Sequence, residues 1–367
     1  MKRTGFVLGV IALLWLATLV GAPLLGSHSL SFGDLFGASP DATILWSLRL
    51  PRVLLALAAG GALAATGLGF QTLFRNPLAE PYTLGIASGA ALGAVVAIRL
   101  GAEEWSAVRA IPAVGFAAFC GAVVTAALVL RLARPRSGFG EGSATLLLAG
   151  VAVSLSCQAL ILLLQYFAEP YQTFRMMRWT IGGLAVVGYS EALWLAPWTI
   201  AGAAALFFAR WDLNVLLTGE ELAASRGVDV PRLRRRAVLV SSAVLGATVA
   251  VTGPIGFVGL MVPHVLRRFL GHDHRVLIPA AVLGGGVFLA LADRSDRWHR
   301  SARIALETLT EGWVTTWPVI TEACHLLRTR LESKAVFDLI DDVADGGVEL
   351  WHPSPAPVAK LPVLMRK

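Results

Sequence analysis

Nucleotide binding and metal binding are the first activities to test against the residue types of this chain. A phosphate loop has the pattern GxxxxGK[ST], which does not occur, and the whole chain contains only four lysines. Histidine is a common metal ligand, and His264, His272 and His274 lie close together in the sequence. The same side chains also suit polar positions at helix ends, which is the role we favour. We therefore predict neither a metal site nor a phosphate loop in this chain.

A pair of acidic residues marks the most informative loop, residues 210–236. Thr218 can cap a short helix whose first turn contains Glu220 and Glu221, where the positive end of the helix dipole favours acidic side chains. Gly227 then ends the helix as a C-terminal cap. The pattern predicts a short amphipathic helix between two apolar segments. Two interpretations are open: the helix binds a partner protein, or it is a solvated loop helix that has no partner.

The segments around this loop have the composition of a membrane protein. Hydrophobic residues make up 56% of the 367 residues, charged residues 15%, and the mean hydropathy is +0.68. Soluble proteins contain roughly 25% charged residues. Residues 1–292 contain 34 charged side chains, whereas the much shorter segment 293–367 contains 21. The distribution predicts a membrane domain over residues 1–292 and a small soluble domain over residues 293–367.

The net charge of +7 arises in the membrane domain, where arginines are scattered between apolar segments. Such a basic excess indicates cytoplasmic loops beside anionic lipid headgroups, and no nucleic-acid partner is expected. Orientation follows from basic residues beside the ends of the spans. We therefore predict a multi-pass protein of the inner or plasma membrane, with its N-terminus and C-terminal tail in the cytoplasm. The cluster that decides this orientation is Arg232, Arg234, Arg235 and Arg236.

Apolar stretches of near-bilayer length predict an all-α polytopic membrane fold with about eight transmembrane helices, since about 20 apolar residues cross the hydrocarbon core. The first stretch could instead be a signal peptide, but it is long enough to span and no clear cleavage site follows it. Frequent glycine and alanine predict close helix packing. The predicted spans are 5–24, 53–73, 84–101, 109–132, 144–167, 190–209, 236–253 and 276–292.

A short internal echo relates two parts of the membrane domain. Residues 65–70 read ATGLGF and are followed by Asn76-Pro77, and residues 251–257 read VTGPIGF and are followed by Val262-Pro263-His264. Five predicted spans separate the two copies, so they are expected to cross the membrane in opposite directions. Inverted repeats are common in transporters and place a pathway at their interface.

Several ordered stretches of residues 1–292 resemble the FecCD-type permeases, which import iron-siderophores, haem and cobalamin. These stretches are 48–52, 70–71, 75–81, 84–93, 179–184, the loop 213–230, and 256–264 with Arg267. The resemblance implies an ATP-binding-cassette (ABC) permease whose family pattern has ten spans, so the last two would be missing here. It also implies two groups of functional residues. The helix that couples to the ATPase would contain Gly219, Glu220, Glu221, Ala224, Arg226 and Gly227. The family motif and pathway residues would be Arg49, Arg52, Arg75, Asn76, Pro77, Pro263, His264 and Arg267.

The same resemblance implies the partners and cofactors. The permease would form a homodimer in the lipid bilayer, dock on cytoplasmic ABC ATPase subunits, and receive substrate from a periplasmic or lipoprotein substrate-binding protein. ATP and Mg²⁺ would bind to the separate ATPase, and no cofactor or metal would bind directly to this chain. The chain itself would therefore be a transport subunit and not an enzyme.

The tail, residues 293–367, resembles the first half of a PIN-domain ribonuclease, which predicts a small α/β-type fragment. PIN nucleases hold Mg²⁺ with three or four carboxylates. Glu322 matches the second acidic position, but Gly284 and Gly285 stand where the first should be. Asp341 and Asp342 are better explained as a solvated face. A single matching carboxylate does not organise such a site, so we expect no nuclease activity.

Three other interpretations remain beside the importer permease. One is a membrane-tethered PIN-type ribonuclease, and another is a non-transporting membrane anchor. The third is a non-functional chimera in which a truncated permease joins a PIN fragment near residues 284–293, where the two families share a similar apolar run.

Overall fold

The computed structural model describes residues 2–24, 40–77, 79–102, 113–133, 141–184, 188–292, 313–315 and 348–350. The chain separates into two compact units, Met1–Arg294 and Ser295–Lys367. This division falls close to the predicted boundary at residue 292. The identities predicted for the two parts, a truncated permease and a PIN-like fragment, remain predictions.

The first unit is helical throughout its described residues. A π-helical turn, Ile44–Arg49, leads directly into α3, and a 3₁₀ turn, Pro81–Leu84, precedes α4. The helices are α1 (Lys2–Gly21), α2 (Pro40–Thr43), α3 (Leu50–Leu73), α4 (Ile86–Arg99), α5 (Ala113–Leu132), α6 (Glu141–Tyr166), α7 (Pro170–Ile181), α8 (Ser190–Phe208), α9 (Arg210–Leu216), α10 (Glu220–Ser225), α11 (Val230–Thr252), α12 (Val258–Leu270) and α13 (His274–Ala292).

The described residues of the second unit form two short parallel strands, β1 (Trp313–Thr315) and β2 (Val348–Leu350). Val314 pairs with Glu349 at the centre of this ladder. Glu322, Asp341 and Asp342 lie outside the described residues. The predicted α/β-type fragment and its carboxylates therefore remain predictions.

Six helical segments of the described chain are long and apolar enough to cross a bilayer. They are Ile44–Leu73, Ala113–Leu132, Thr145–Tyr166, Ser190–Phe208, Val230–Thr252 and His274–Ala292. The other two predicted spans fall on shorter apolar helices, Gly5–Gly21 and Ile86–Arg99. The latter has 14 residues and is about 21 Å long, less than the roughly 30 Å of a hydrocarbon core. The all-α membrane fold is confirmed, whereas the count of eight spans stays a prediction.

The start of α11 corrects one predicted boundary. The sequence placed the span at 236–253 with a loop before it, but the helix begins at Val230. Asp229 caps it by accepting a hydrogen bond from the Arg232 backbone N–H at 3.0 Å, and Pro231 occupies its first turn. The arginine cluster that looked like a loop is therefore the first two turns of this helix.

The centre of the first unit is α3, which is buried along almost its whole length. It packs against α8, α11, α12 and α13, while α4 and α5 pack against each other and against α11. Large apolar side chains of α6, such as Leu148, Leu155 and Leu162, are instead strongly exposed. An exposed apolar face of this kind suits contact with lipid.

Glycine allows the central helices to touch backbone to backbone, as the sequence predicted. A Cβ atom built on Gly60 would lie 2.1 Å from the Gly285 carbonyl oxygen of α13, and one on Gly67 would lie 2.0 Å from the Gly259 oxygen of α12. On α4, a Cβ atom on Gly93 would lie 2.2 Å from the Ala117 oxygen of α5. Real side chains do not fit at these distances, so any larger residue must push the helices apart.

The substitution Gly67→Ala tests this packing. We expect it to destabilise the bundle by about 1–3 kcal/mol, because the added methyl group meets backbone atoms that cannot move alone. Thermal unfolding of the detergent-purified protein, followed by tryptophan fluorescence, measures the effect. The control is Gly9→Ala, since a Cβ atom at Gly9 has nothing within 4 Å. Equal unfolding temperatures for the two variants would contradict the prediction.

Candidate functional site

The α8–α11 connection, residues 209–229, contains the predicted coupling helix as α10. The backbone N–H of Gly227 bonds to Ala224 O at 3.0 Å, and that of Val228 bonds to Ala223 O at 3.0 Å. With Gly227 at φ 85°, these bonds form a Schellman C-cap. The predicted end of the helix is thus confirmed. The predicted cap at the other end is wrong, because Gly219 occupies the N-cap position and the Thr218 hydroxyl donates to Val215 O at 2.8 Å.

The predicted coupling residues do not all face the same way. The Glu220 carboxylate lies 2.5 Å from Arg234 Nη2 of α11, and the two side chains are only 15% and 13% exposed. Ala224 and Gly219 are half-buried, whereas Glu221, Arg226 and Gly227 are exposed. The adjacent Leu222 is an apolar side chain that is 53% exposed. Glu220 therefore anchors α10 to α11, and Glu221, Leu222 and Arg226 form its outer surface.

A second anchor of the α8–α11 connection lies on α9. The Asn214 Oδ1 atom is 2.9 Å from the His274 backbone nitrogen and 2.6 Å from His274 Nδ1. Across the ring, His274 Nε2 lies 2.7 Å from Thr72 Oγ1, in the last turn of α3. Both His274 and Thr72 are buried. These bonds connect α9, α13 and α3, and they confirm the helix-end role favoured for His274.

Asp273 completes this anchor at the start of α13. Its carboxylate accepts hydrogen bonds from Asn214 Nδ2 at 2.8 Å and from the Arg275 backbone N–H at 3.0 Å. Partial burial opposes ionisation of the carboxyl group, but these hydrogen bonds outweigh it and lower the pKa of Asp273. An ionised Asp273 holds the Asn214 amide in the orientation that its bonds to His274 require.

The two copies of the internal echo are in contact. Gln71, directly after the first copy, donates through Nε2 to Gly259 O at 3.1 Å and accepts a hydrogen bond from Arg267. Tyr82 donates to Ile255 O at 2.6 Å, and the Ile255 backbone N–H donates to the Tyr82 oxygen at 2.6 Å. The predicted pathway residue Arg267 of α12 is thus in contact with α3. The opposite membrane directions of the two copies stay a prediction.

The other predicted pathway residues lie apart from these contacts. Arg75, Asn76 and Pro77 form an exposed turn after α3, in which Arg75 has a φ of 48°. Arg49 donates to Pro23 O at 3.3 Å. Three further positions complete the set: Arg52 is half-buried in the first turn of α3, Pro263 is buried within α12, and His264 is exposed.

No group of three His, Cys, Asp or Glu side chains is placed to hold a metal ion within the described ranges. The contacts of Thr72, Asn214 and Tyr82 were not predicted from the sequence. Each is a polar residue within a few residues of the end of an apolar segment. That position is a usable signal, because buried polar groups at such ends need partners from other helices.

The fold is that of an ABC transport permease. It matches a solved inward-facing conformation of a protein assigned to the metal-chelate type of ABC transporter, with a TM-score of 0.71 and 29% sequence identity. The match covers 80% of this chain and 91% of that chain.

The FecCD transport family matches residues 10–311, and the chain belongs to this family. The match continues beyond the predicted boundary at residue 292. The hemin transport system permease protein HmuU of Yersinia pestis is 39% identical over 79% of this chain and 86% of its own length. The vitamin B12 import system permease protein BtuC of Citrobacter koseri is 35% identical over 78% of this chain and 84% of its own length. These relatives are transport permeases and not enzymes, as was predicted for this chain.

The Glu220–Arg234 pair gives a prediction about the stability of α10. Glu220→Arg should loosen α10 by about 1–3 kcal/mol, because the buried Arg234 guanidinium then faces a like charge in place of the Glu220 carboxylate. Hydrogen exchange of the Gly227 and Val228 amides measures this loosening. The exchanged pair Glu220→Arg with Arg234→Glu should slow the exchange again. If the double variant exchanges as fast as Glu220→Arg alone, the ion pair does not anchor the helix.

Proposed function

We propose that this chain is the membrane permease subunit of an ABC importer for haem, cobalamin or a related metal chelate, the iron-siderophores included. The observation that supports this proposal most directly is the 39% identity with a hemin transport permease. The 35% identity with a vitamin B12 import permease supports it further. Both substrates are large metal-centred rings. A permease that carries such a chelate needs no metal ligands of its own, because the metal travels inside the chelator.

Coupling to ATP hydrolysis is proposed to run through α10. Its outer surface combines an acidic, an apolar and a basic side chain, Glu221, Leu222 and Arg226, on a helix that is fixed at both ends. A partner ATPase can therefore recognise it by charge and by apolar burial together. ATP and Mg²⁺ would bind to that separate subunit.

The remaining partners follow from the family. A periplasmic or lipoprotein substrate-binding protein would deliver the chelate, and two copies of the permease would form a homodimer in the bilayer. With α10 facing the ATPase, the N-terminus would also lie in the cytoplasm. The basic first turns of α11 support this orientation, since arginines at span ends favour the cytoplasmic side.

Nothing in the matched relatives or in the described strands of the tail favours the membrane-tethered ribonuclease. The PIN-like resemblance of residues 293–367 and its Glu322 stay a prediction, as do the truncated permease and the chimera. Residues 10–311 carry the transport proposal, because they match the family.

Reconstitution tests the proposed function. We expect proteoliposomes that contain the permease and the ATPase of the same transport system, supplied with the binding protein, to take up hemin or vitamin B12 in an ATP-dependent manner. Vesicles with an ATPase variant that cannot hydrolyse ATP are the control. ATP hydrolysis that stays flat with every chelate, together with no uptake, would overturn the proposal.

Docking by α10 can be tested separately. Glu221→Arg with Leu222→Asp should weaken co-purification of the ATPase at least tenfold, since it reverses the charge and removes the apolar contact at once. The control is Glu169→Arg, the same kind of charge reversal in the exposed loop between α6 and α7. Unchanged co-purification in the α10 variant would show that the ATPase docks elsewhere.

A further inference from the structure

The two anchors of the α8–α11 connection attach it to different parts of the bundle. Glu220 binds Arg234 and so holds α10 to α11. Asn214 instead joins α9 to α13 and, through His274, to α3. The second anchor reaches α3, the central helix of the bundle, through three side chains from three different elements.

Resting on the proposed function, we propose that Thr72, His274 and Asn214 form a polar relay that passes displacements of the α8–α11 connection to the central helix α3 and to α13. The three are positioning residues, because they would act through the helices that they join. The relay would transmit motion from the proposed docking helix α10. In this route α9 moves with α10, and the last turn of α3 and the start of α13 move with α9.

The geometry of Asn214 assigns the first half of the relay. The amide oxygen accepts from the His274 backbone N–H at 2.9 Å, and the amide nitrogen donates to Asp273 at 2.8 Å. The 2.6 Å contact with Nδ1 therefore requires a proton on that ring nitrogen, since the amide oxygen has none to give. One side chain of α9 thus holds both the backbone and the ring at the start of α13.

Thr72 forms the second half of the relay. Its hydroxyl oxygen lies 2.7 Å from His274 Nε2 and 2.9 Å from Leu68 O in its own helix. Thr72 is 0% and His274 1% exposed, so bulk water cannot replace the hydrogen bond between them if it breaks. Separating His274 from Thr72 leaves the buried ring nitrogen without its partner, which is costly, so the three elements are expected to move together.

From Thr72 the connection continues to the repeated motif. Gln71, the preceding residue, binds Gly259 O and Arg267 of α12. Gly67 and Gly60, further along α3, touch the backbones of α12 and α13. A displacement of the last turn of α3 therefore acts on both helices of the proposed pathway interface.

The transport test uses Thr72→Val, which removes the hydroxyl group and keeps the side-chain shape. In proteoliposomes with the ATPase and binding protein, we expect uptake of hemin or vitamin B12 per ATP hydrolysed to fall about tenfold while the ATPase stays bound. Thr72→Ser should restore the ratio. Thr66→Val is the matched control, because the Thr66 hydroxyl is equally buried in α3 but donates only to Ala62 O and Leu63 O of its own helix.

An unchanged ratio of uptake to hydrolysis in Thr72→Val would overturn the relay. Uptake and hydrolysis that fall together with the unfolding temperature, and to the same extent in Thr66→Val, would also overturn it by showing a purely structural role. Absence of any uptake by the wild-type permease would instead refute the proposed function.

A second measurement tests the relay without transport. In the detergent-purified permease alone, Thr72→Val should speed hydrogen exchange in α9, although Thr72 belongs to a different helix. Thr66→Val should leave exchange in α9 unchanged. If exchange in α9 is the same in Thr72→Val as in the wild type, the hydroxyl does not link the two elements and the relay is wrong, whatever the chain transports.

Discussion

Backbone contact between helices at glycine is the constraint on which the rest of this structure depends. Where α3 crosses α12 and α13, the helices meet at Gly60, Gly67, Gly259 and Gly285 with no room for a Cβ atom. In lipid, apolar side chains gain little by leaving the solvent, so close van der Waals contact must hold such a bundle together. The contact also fixes the axial register of the helices. Polar side chains that would otherwise be stranded among apolar ones, such as Gln71, therefore meet their partners.

The polar contacts follow from this register. Gln71 and Arg267 meet because Gly67, one turn before Gln71, contacts Gly259, about two turns before Arg267. Thr72 reaches His274 at the same end of α3. Each of these groups would be costly to bury alone. Packing and hydrogen bonding thus specify the same arrangement, and a shift of one helix by a single residue would break both.

Much of the fold was predictable from composition. Apolar runs located the helices of the membrane unit, because the length of a span is set by the bilayer and its residue types by the absence of water. The predicted start of α11 was wrong. Arginines in the first turns of a helix lower the local hydropathy, and a polar loop lowers it in the same way. The short helices α7, α9 and α12 were also not predicted individually, because a search for apolar runs of bilayer length passes over helices of 7 to 13 residues.

The candidate site was predictable only in part. Gly227 has a local role in its own helix end, so the sequence pattern was sufficient to identify it. Thr218 is a residue type that often caps the N-terminus of a helix, but the adjacent Gly219 occupies the N-cap position of α10. The partners of Asn214 are 59 and 60 residues away in the chain. Contacts of that kind depend on how the helices cross, and a single sequence does not contain this information.

The brevity of α10 has a kinetic consequence. A helix of six residues does not persist by itself in water, because nucleation costs more than so few hydrogen bonds return. Here the ion pair at one end and the glycine cap at the other hold it in shape before any partner arrives. If an ATPase docks on α10 as proposed, it does not have to order the backbone of this helix, so encounter complexes should convert readily to bound ones. On that proposal, the permease could exchange its ATPase without refolding the docking surface each time.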